Sequence, residues 1–167
     1  MTLYYGVDPG LSGAIATLDG DIVRITPIPI VKSGKSRNQY DLVAINELFC
    51  DQLVAPGFAV IEKQQPMPLA QGGTIANYNR GCARIFEMAC VAARIPYELV
   101  PPRTWQKLML AGTSGDDTKQ RSIIAAKRLF PGVMLRRSTL CTKDDDGFSD
   151  ALLLAEYGRR RQQGTQT

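Results

Sequence analysis

The chain opens on a short apolar run, Leu3-Tyr4-Tyr5-Gly6-Val7, that closes on a carboxylate, Asp8, and is stopped by Pro9-Gly10. A second run, Ala14 to Leu18, begins after Gly13, and Asp19-Gly20 turns it into a third. Apolar runs of this length between turn residues predict strands over 3–8, 13–18 and 21–28. These form an antiparallel meander, with Pro27 and Pro29 marking a sheet edge. Residues 31–40 are polar, with three basic residues and no acid, and read as a loop. From Asp41, a good N-cap, the spacing of Leu42, Ile45, Leu48, Phe49 and Leu53 predicts a helix over 42–54. Phe58-Ala59-Val60-Ile61 is another buried-type strand, and it too ends in an acid, Glu62. The Pro- and Gly-containing segment 63–73 predicts a loop, followed by a helix over 74–93 and a strand over 97–100. Helices follow over 103–111 and 118–130, the latter with Ile123, Ile124, Ala126 and Leu129 facing inward. The final helix grows out of Asp144-Asp145-Asp146 and continues through Ala151-Leu152-Leu153-Leu154-Ala155, with Arg159-Arg160-Arg161 read as a frayed basic tail. The whole pattern predicts a single α/β domain over 1–161 with a short tail at 162–167.

The acids change this picture from a scaffold to a site. If strands 1 and 4 are parallel neighbours, Asp8 and Glu62 emerge at one edge of the sheet, where ligands of open α/β sheets gather. Asp146 and Asp150, four residues apart, share one face of a helix. Three of these acids also have an ordinary role available: Asp8 as a turn cap, and Asp146 and Asp150 as first-turn acids facing the helix dipole. Asp150, however, sits inside an apolar pattern, where a purely solvent-facing acid is out of place. Taken together they form an oxygen donor set suited to Mg²⁺ or Mn²⁺ and not to zinc. Two such ions about 4 Å apart can clamp a phosphodiester, one activating the attacking water and one stabilising the leaving oxygen.

Composition narrows the chemistry further. The chain contains no histidine, which removes Ser-His-Asp and Cys-His catalysis and any histidine base. Its four cysteines, at 50, 82, 90 and 141, form no CxxC pair and read as reduced thiols of an intracellular protein. The net charge is +4, and between Lys119 and Arg161 ten basic residues face five acidic ones, a bias compatible with nucleic acid. No apolar run reaches the roughly 20 residues that span a bilayer, and no secretory pattern opens the chain, so a cytoplasmic protein with no membrane partner is expected. Gly34-Lys35-Ser36 lacks the upstream glycine of a P-loop.

The order of strands, helices and acids resembles the ribonuclease H-like superfamily. Within it, Gly6-Val7-Asp8-Pro9-Gly10, Ile61-Glu62 and Asp150-Ala151-Leu152 resemble the RuvC family of Holliday junction resolvases, particularly its phage and compact bacterial branches. The resemblance implies a five-stranded mixed sheet with helices on both faces, and a homodimer that nicks two strands of a four-way DNA junction symmetrically in a bacterial or phage-infected cell. It implies two Mg²⁺ or Mn²⁺ ions per site held by Asp8, Glu62 and Asp150, with Lys119 as the active-site lysine. The family pattern places another acid or histidine three residues before the last aspartate. That position here is Gly147, so Asp146, or alternatively Asp145, takes the fourth place. The family's aromatic wedge after the glutamate is also missing, leaving Met67 or Leu69 for that role. Lys32, Lys35, Arg37, Lys63, Arg80, Arg103, Lys107, Arg136 and Arg137 are the expected DNA contacts. The competing readings are a broader debranching nuclease acting on flaps and Y-forms, and a non-catalytic junction-binding module.

Overall fold

A computed structural model describes residues 2–33, 37–50, 57–64 and 83–164. Strands β1 (Leu3–Asp8), β2 (Ala14–Asp19) and β3 (Ile22–Pro27) form the expected antiparallel meander. Two further strands, β6 (Gly57–Glu62) and β7 (Tyr97–Val100), join it in parallel to complete a five-stranded mixed sheet ordered β3-β2-β1-β6-β7. The parallel pair β1–β6 runs in register from Leu3↔Gly57 to Val7↔Ile61, so Asp8 and Glu62 stand side by side one step further on.

The two faces of the sheet bury different partners, as strand alternation requires. On one face, Leu3, Tyr5, Val7, Ile15, Ala59 and Ile61 pack with Ile45 and Phe49 of α1 (Leu42–Cys50) and Phe86, Ala89 and Cys90 of α2 (Ile85–Ala92). On the other, Ala16, Leu18 and Val60 pack with α3 (Pro102–Met109), α4 (Thr118–Leu129) and α5 (Asp146–Gly164). Gly6 lies on this second face, and α5 crosses it so closely that a Cβ built there would stand 2.0 Å from the Ala151 carbonyl oxygen and 2.3 Å from the Ala155 amide nitrogen. Because Asp8 and Glu62 follow Gly6 and Val60 by two residues, they point to the α5 side.

Three expectations need correction. Residues 31–40 are not a loop throughout: β4 (Ile30–Ser33) and β5 (Arg37–Tyr40) pair antiparallel from Ile30↔Tyr40 to Ser33↔Arg37. Tyr40 anchors this hairpin, since its buried ring meets Phe86 edge-on and its hydroxyl donates to the Pro9 carbonyl at 2.6 Å. The polar middle of the segment hid the apolar residues at its ends. In α4, Ile124 is exposed; Ala126 is buried and Leu129 packs on the core as expected, joined by Ser122 and Ala125, small side chains that let this helix sit close to α5. The basic run at 159–161 continues α5 to Gly164, because Arg159 and Arg160 both pair with Glu156 one turn earlier. The expected N-cap Asp41 accepts from the Ala44 amide at 3.0 Å. Lys35, Met67, Leu69, Arg80 and most of the expected helix before Ala83 lie outside the described residues.

Candidate active site

Asp8 ends β1 because Pro9 cannot continue a central strand, and the turn that follows is drawn tight. The Gly13 amide donates to the Gly10 carbonyl at 2.8 Å, and the Gly10 amide reaches the Asp8 carboxylate at 3.4 Å. Glu62 ends β6, and the Lys63 amide extends the ladder by donating to the Val100 carbonyl at 2.8 Å. Both Glu62 oxygens receive donors: the Trp105 indole N–H at 3.0 Å on Oε2 and the Gln64 amide at 3.4 Å on Oε1. The sequence reading overlooked Trp105. It is the chain's only tryptophan and is fully buried, and a buried indole N–H needs an acceptor.

The acidic triplet before α5 divides its work. Asp144 pairs with Lys127 at 2.5 Å. Asp145 caps the helix by accepting from the Phe148 amide at 3.1 Å, and its carboxylate also holds Arg137 at 2.5 Å and 3.3 Å. Arg137 reaches on to the Ser12 carbonyl and lies over the Phe148 ring, so it ties the β1–β2 turn to the start of α5. Arg137, expected as a DNA contact, is exposed and makes these bonds within the chain, and Arg136 donates to the Cys141 carbonyl at 3.3 Å. Asp146 is half-exposed and pairs with the exposed Lys119 at 2.7 Å. Of the two candidates for the fourth acid, Asp145 is engaged as a cap and an arginine partner and adds only to the charge felt by Asp8, while Asp146 adds to the charge felt by both Asp8 and Asp150.

The glycine after Asp146 has a steric reason. A Cβ at Gly147 would stand 2.9 Å from the Ser12 carbonyl oxygen and 3.1 Å from the Gly13 Cα. The N-terminus of α5 is pressed against the β1–β2 turn there, and no acid can occupy that position.

Electrostatically the cluster is unfinished. Burial pushes Asp8 up to about 6, with Asp146 and Asp145 adding to the shift and the Gly10 amide and Arg137 opposing it. Burial and the neighbouring Asp8 push Glu62 up to about 7, against the donors Trp105 and Gln64. Asp150 rises to about 8, through burial first and then the charges of Asp8, Glu62 and Asp146. Its Oδ1 is buried with no hydrogen-bond partner. The Ser122 hydroxyl lies near enough to favour the ionised form but outside hydrogen-bonding geometry.

Among the described residues, no three acidic side chains are drawn close enough to share one ion. The donor set nevertheless fits a hard cation: it is all carboxylate, it is half-buried, and the buried Asp150 Oδ1 is an orphaned acceptor, which is costly to leave unpaired. Carboxyls whose folded pKa is raised favour folding only where they are protonated. That contribution is full below their unfolded value of about 4 and is lost as pH rises through the folded values. The metal-free protein is therefore expected to lose thermal stability between about pH 5 and about pH 8, by several degrees. Mg²⁺ or Mn²⁺ should restore more at the alkaline end, because binding displaces protons. Melting curves across pH with and without the ion check this; a metal effect that does not grow with pH would contradict it.

Several cations on these elements are exposed. Arg103 and Lys107, one turn apart on α3, face solvent on the side away from Trp105. Lys63 and Arg84 line a cleft beside Glu62. Lys32 is exposed on β4, in the hairpin that Tyr40 fastens to the Asp8-Pro9-Gly10 turn. The side chains of Arg37, Lys35 and Arg80 are outside the described residues.

No protein-family model matches the chain, and no curated protein matches its sequence. Solved structures do. The chain is similar to Thermus thermophilus RuvC in complex with Holliday junction substrate, at 16% identity and a TM-score of 0.62, over 96% of both chains. It is also similar to a second Thermus thermophilus RuvC structure, at 17% identity and a TM-score of 0.56, over 98% of this chain and 97% of the other. At these identities the likeness shows the fold: a RuvC-like, ribonuclease H-like α/β sheet spanning nearly the whole chain.

Proposed function

We propose that this RuvC-like chain is a metal-dependent endonuclease that resolves four-way DNA junctions by paired nicks. The observation that carries the proposal is that Asp8 and Glu62, at the carboxyl ends of two adjacent parallel strands, and Asp150, at the start of α5, are half-buried and mutually repelling. A fold needs no such cluster for its stability, and each member raises the cost of the others. The neighbour solved with Holliday junction substrate supports the choice of DNA branch.

In this reading Asp8, Glu62 and Asp150 hold the divalent ions, with Asp146 at the rim as the fourth donor. The ions would supply Lewis acidity at the scissile phosphodiester. The chain's own residues do the rest. Trp105 and Gln64 fix the plane of the Glu62 carboxylate. The Arg137 clamp holds the turn after Asp8 against the start of α5, so that Asp8 and Asp150 keep their spacing. Lys119 is exposed and bonded to Asp146 through a surface pair, which is worth little. A phosphate oxygen can therefore exchange for that partner and be stabilised as its charge develops. Arg103, Lys107, Lys63 and Lys32 supply backbone contacts that set affinity and its salt dependence. Action as a homodimer, which presents two such sites to opposed strands, belongs to the same proposal.

The test is cleavage of a labelled four-way junction in Mg²⁺ or Mn²⁺, beside a Y-form and a linear duplex of matching sequence. Paired symmetric nicks confined to the junction and abolished by EDTA are expected. Equal cutting of the Y-form would make the protein a general debranching nuclease, and binding without cutting in either metal would leave a junction-binding module. Lys119→Ala is expected to lower kcat by about 10²-fold with junction affinity changed less than about threefold. Loss of affinity alone would reduce Lys119 to an ordinary phosphate contact.

A further inference from the structure

Trp105 sits where the core meets the acidic cluster. It is the fourth residue of α3, which Pro101 and Pro102 start directly after β7. Because β7 pairs in register with β6 as far as Glu62↔Val100, the helix that follows β7 begins level with the Glu62 side chain. The indole ring is fully buried in the apolar cluster that contains Val100, Met109 and Leu152, and its one polar atom points out of that cluster onto Glu62 Oε2 at 3.0 Å. A ring packed on all sides cannot swing away, so the N–H is a fixed reference for the carboxylate. The second Glu62 oxygen takes its donor, Gln64, from just after β6, at the longer distance of 3.4 Å.

We infer that Trp105 is a positioning residue: its indole N–H holds one oxygen of Glu62 so that the other is presented, in a set orientation, to the divalent ion. This rests on the proposal that Glu62 is a metal ligand. Indole suits the task because it is a donor only. A tyrosine or serine hydroxyl in the same place could turn its lone pairs toward the cation and compete with the carboxylate. A lysine would neutralise Glu62 and weaken its hold on the ion. A neutral donor that can neither accept nor titrate orients the ligand and leaves its charge for the metal. Groups that orient a metal ligand in this way are commonly worth about 10- to 100-fold in metal affinity or activity.

The experiment removes the N–H and nothing else. Trp105→β-(3-benzothienyl)alanine keeps the bicyclic shape with sulfur in place of N–H, and Trp105→5-fluorotryptophan keeps the N–H as the rescue control. Two quantities are read on the full chain: Mn²⁺ affinity by calorimetry with the metal alone, and kcat and KM for nicking a four-way junction. The benzothienyl chain is expected to melt near the parent temperature, to bind Mn²⁺ about 10- to 100-fold more weakly and to lose kcat by a similar factor, with KM for the junction unchanged. The fluorinated chain should match the parent in all of these. Unchanged Mn²⁺ affinity in a folded benzothienyl chain overturns the inference and leaves Trp105 as packing. A benzothienyl chain that fails to fold while the fluorinated one folds also overturns it, by making the bond structural. A parent chain that takes up no Mn²⁺ overturns the metal reading of Glu62 itself, an outcome visible before any substitution is made.

Discussion

Asp150→Asn is expected to reduce junction nicking by at least about 10³-fold, roughly 4 kcal/mol of transition-state stabilisation, while making the metal-free protein more stable at pH 8. The two effects have one cause. Asp150 is half-buried at the N-terminus of α5, its buried Oδ1 has no partner, and it lies in the field of Asp8, Glu62 and Asp146. Its pKa, pushed up to about 8, means that the folded chain resists ionising it. In the unfolded chain it ionises near the ordinary aspartate value of about 4, so above that value folding must work against the charge. Asparagine keeps the shape, removes the charge, and offers N–H donors to a neighbourhood of carboxylate acceptors. A gain in Tm on the order of 5 °C at pH 8 should follow, shrinking as pH falls toward about 4. Adding Mg²⁺ should erase or reverse the gain, because the ion stabilises only the parent. Melting curves and a nicking assay on the same preparations decide the matter. A lower Tm for the variant at pH 8 without metal would show that the Asp150 carboxylate has a stabilising partner, and would weaken the case that it waits for a cation. Functional sites commonly cost stability in this manner.

Much of this arrangement can be read from the chain, because it lies in local pattern. Two apolar strands that each end in an acid are visible as runs, while their parallel pairing is a condition that the structure supplies. Asp150 stands out as an acid within an apolar helix. What stayed hidden depends on contacts between distant segments. Trp105 is 43 residues from Glu62, and nothing near either residue announces their bond; only the rule that a buried indole seeks an acceptor points to it. Asp145 and Asp146 look equivalent in sequence. They are distinguished by Arg137 and Lys119, which approach from different elements. The β4–β5 hairpin was hidden by its charged middle, and on α4 the expected inward face holds for Ala126 and Leu129 but not for Ile124, which is exposed. Close approach to α5 in fact selects Ser122, Ala125 and Ala126.

The glycines carry the same lesson and the second large effect. In the Gly6-Val7-Asp8-Pro9-Gly10 motif the final glycine, next to a proline and a turn, draws the eye. Yet Gly10 has no positive φ, and a Cβ there would have nothing nearer than 3.7 Å. Gly6 is different: its Cβ would fall 2.0 Å from the Ala151 oxygen and 2.3 Å from the Ala155 nitrogen. Both are backbone atoms of a helix, so no side chain can turn aside to make room. β1 and α5 would have to separate, opening the apolar layer that contains Val60, Leu152 and Ala155 and parting Asp8 from Asp150. Gly6→Val is therefore expected to abolish folding, and Gly6→Ala to cost more than about 4 kcal/mol, a large share of a typical domain's stability. Gly10→Ala should stay within about 1 kcal/mol of the parent. Circular dichroism melts of Gly6→Ala and Gly10→Ala test the contrast directly. A Gly6→Ala protein that melts like the parent would mean that the β1–α5 crossing is looser than described, and with it the spacing on which the acidic cluster depends.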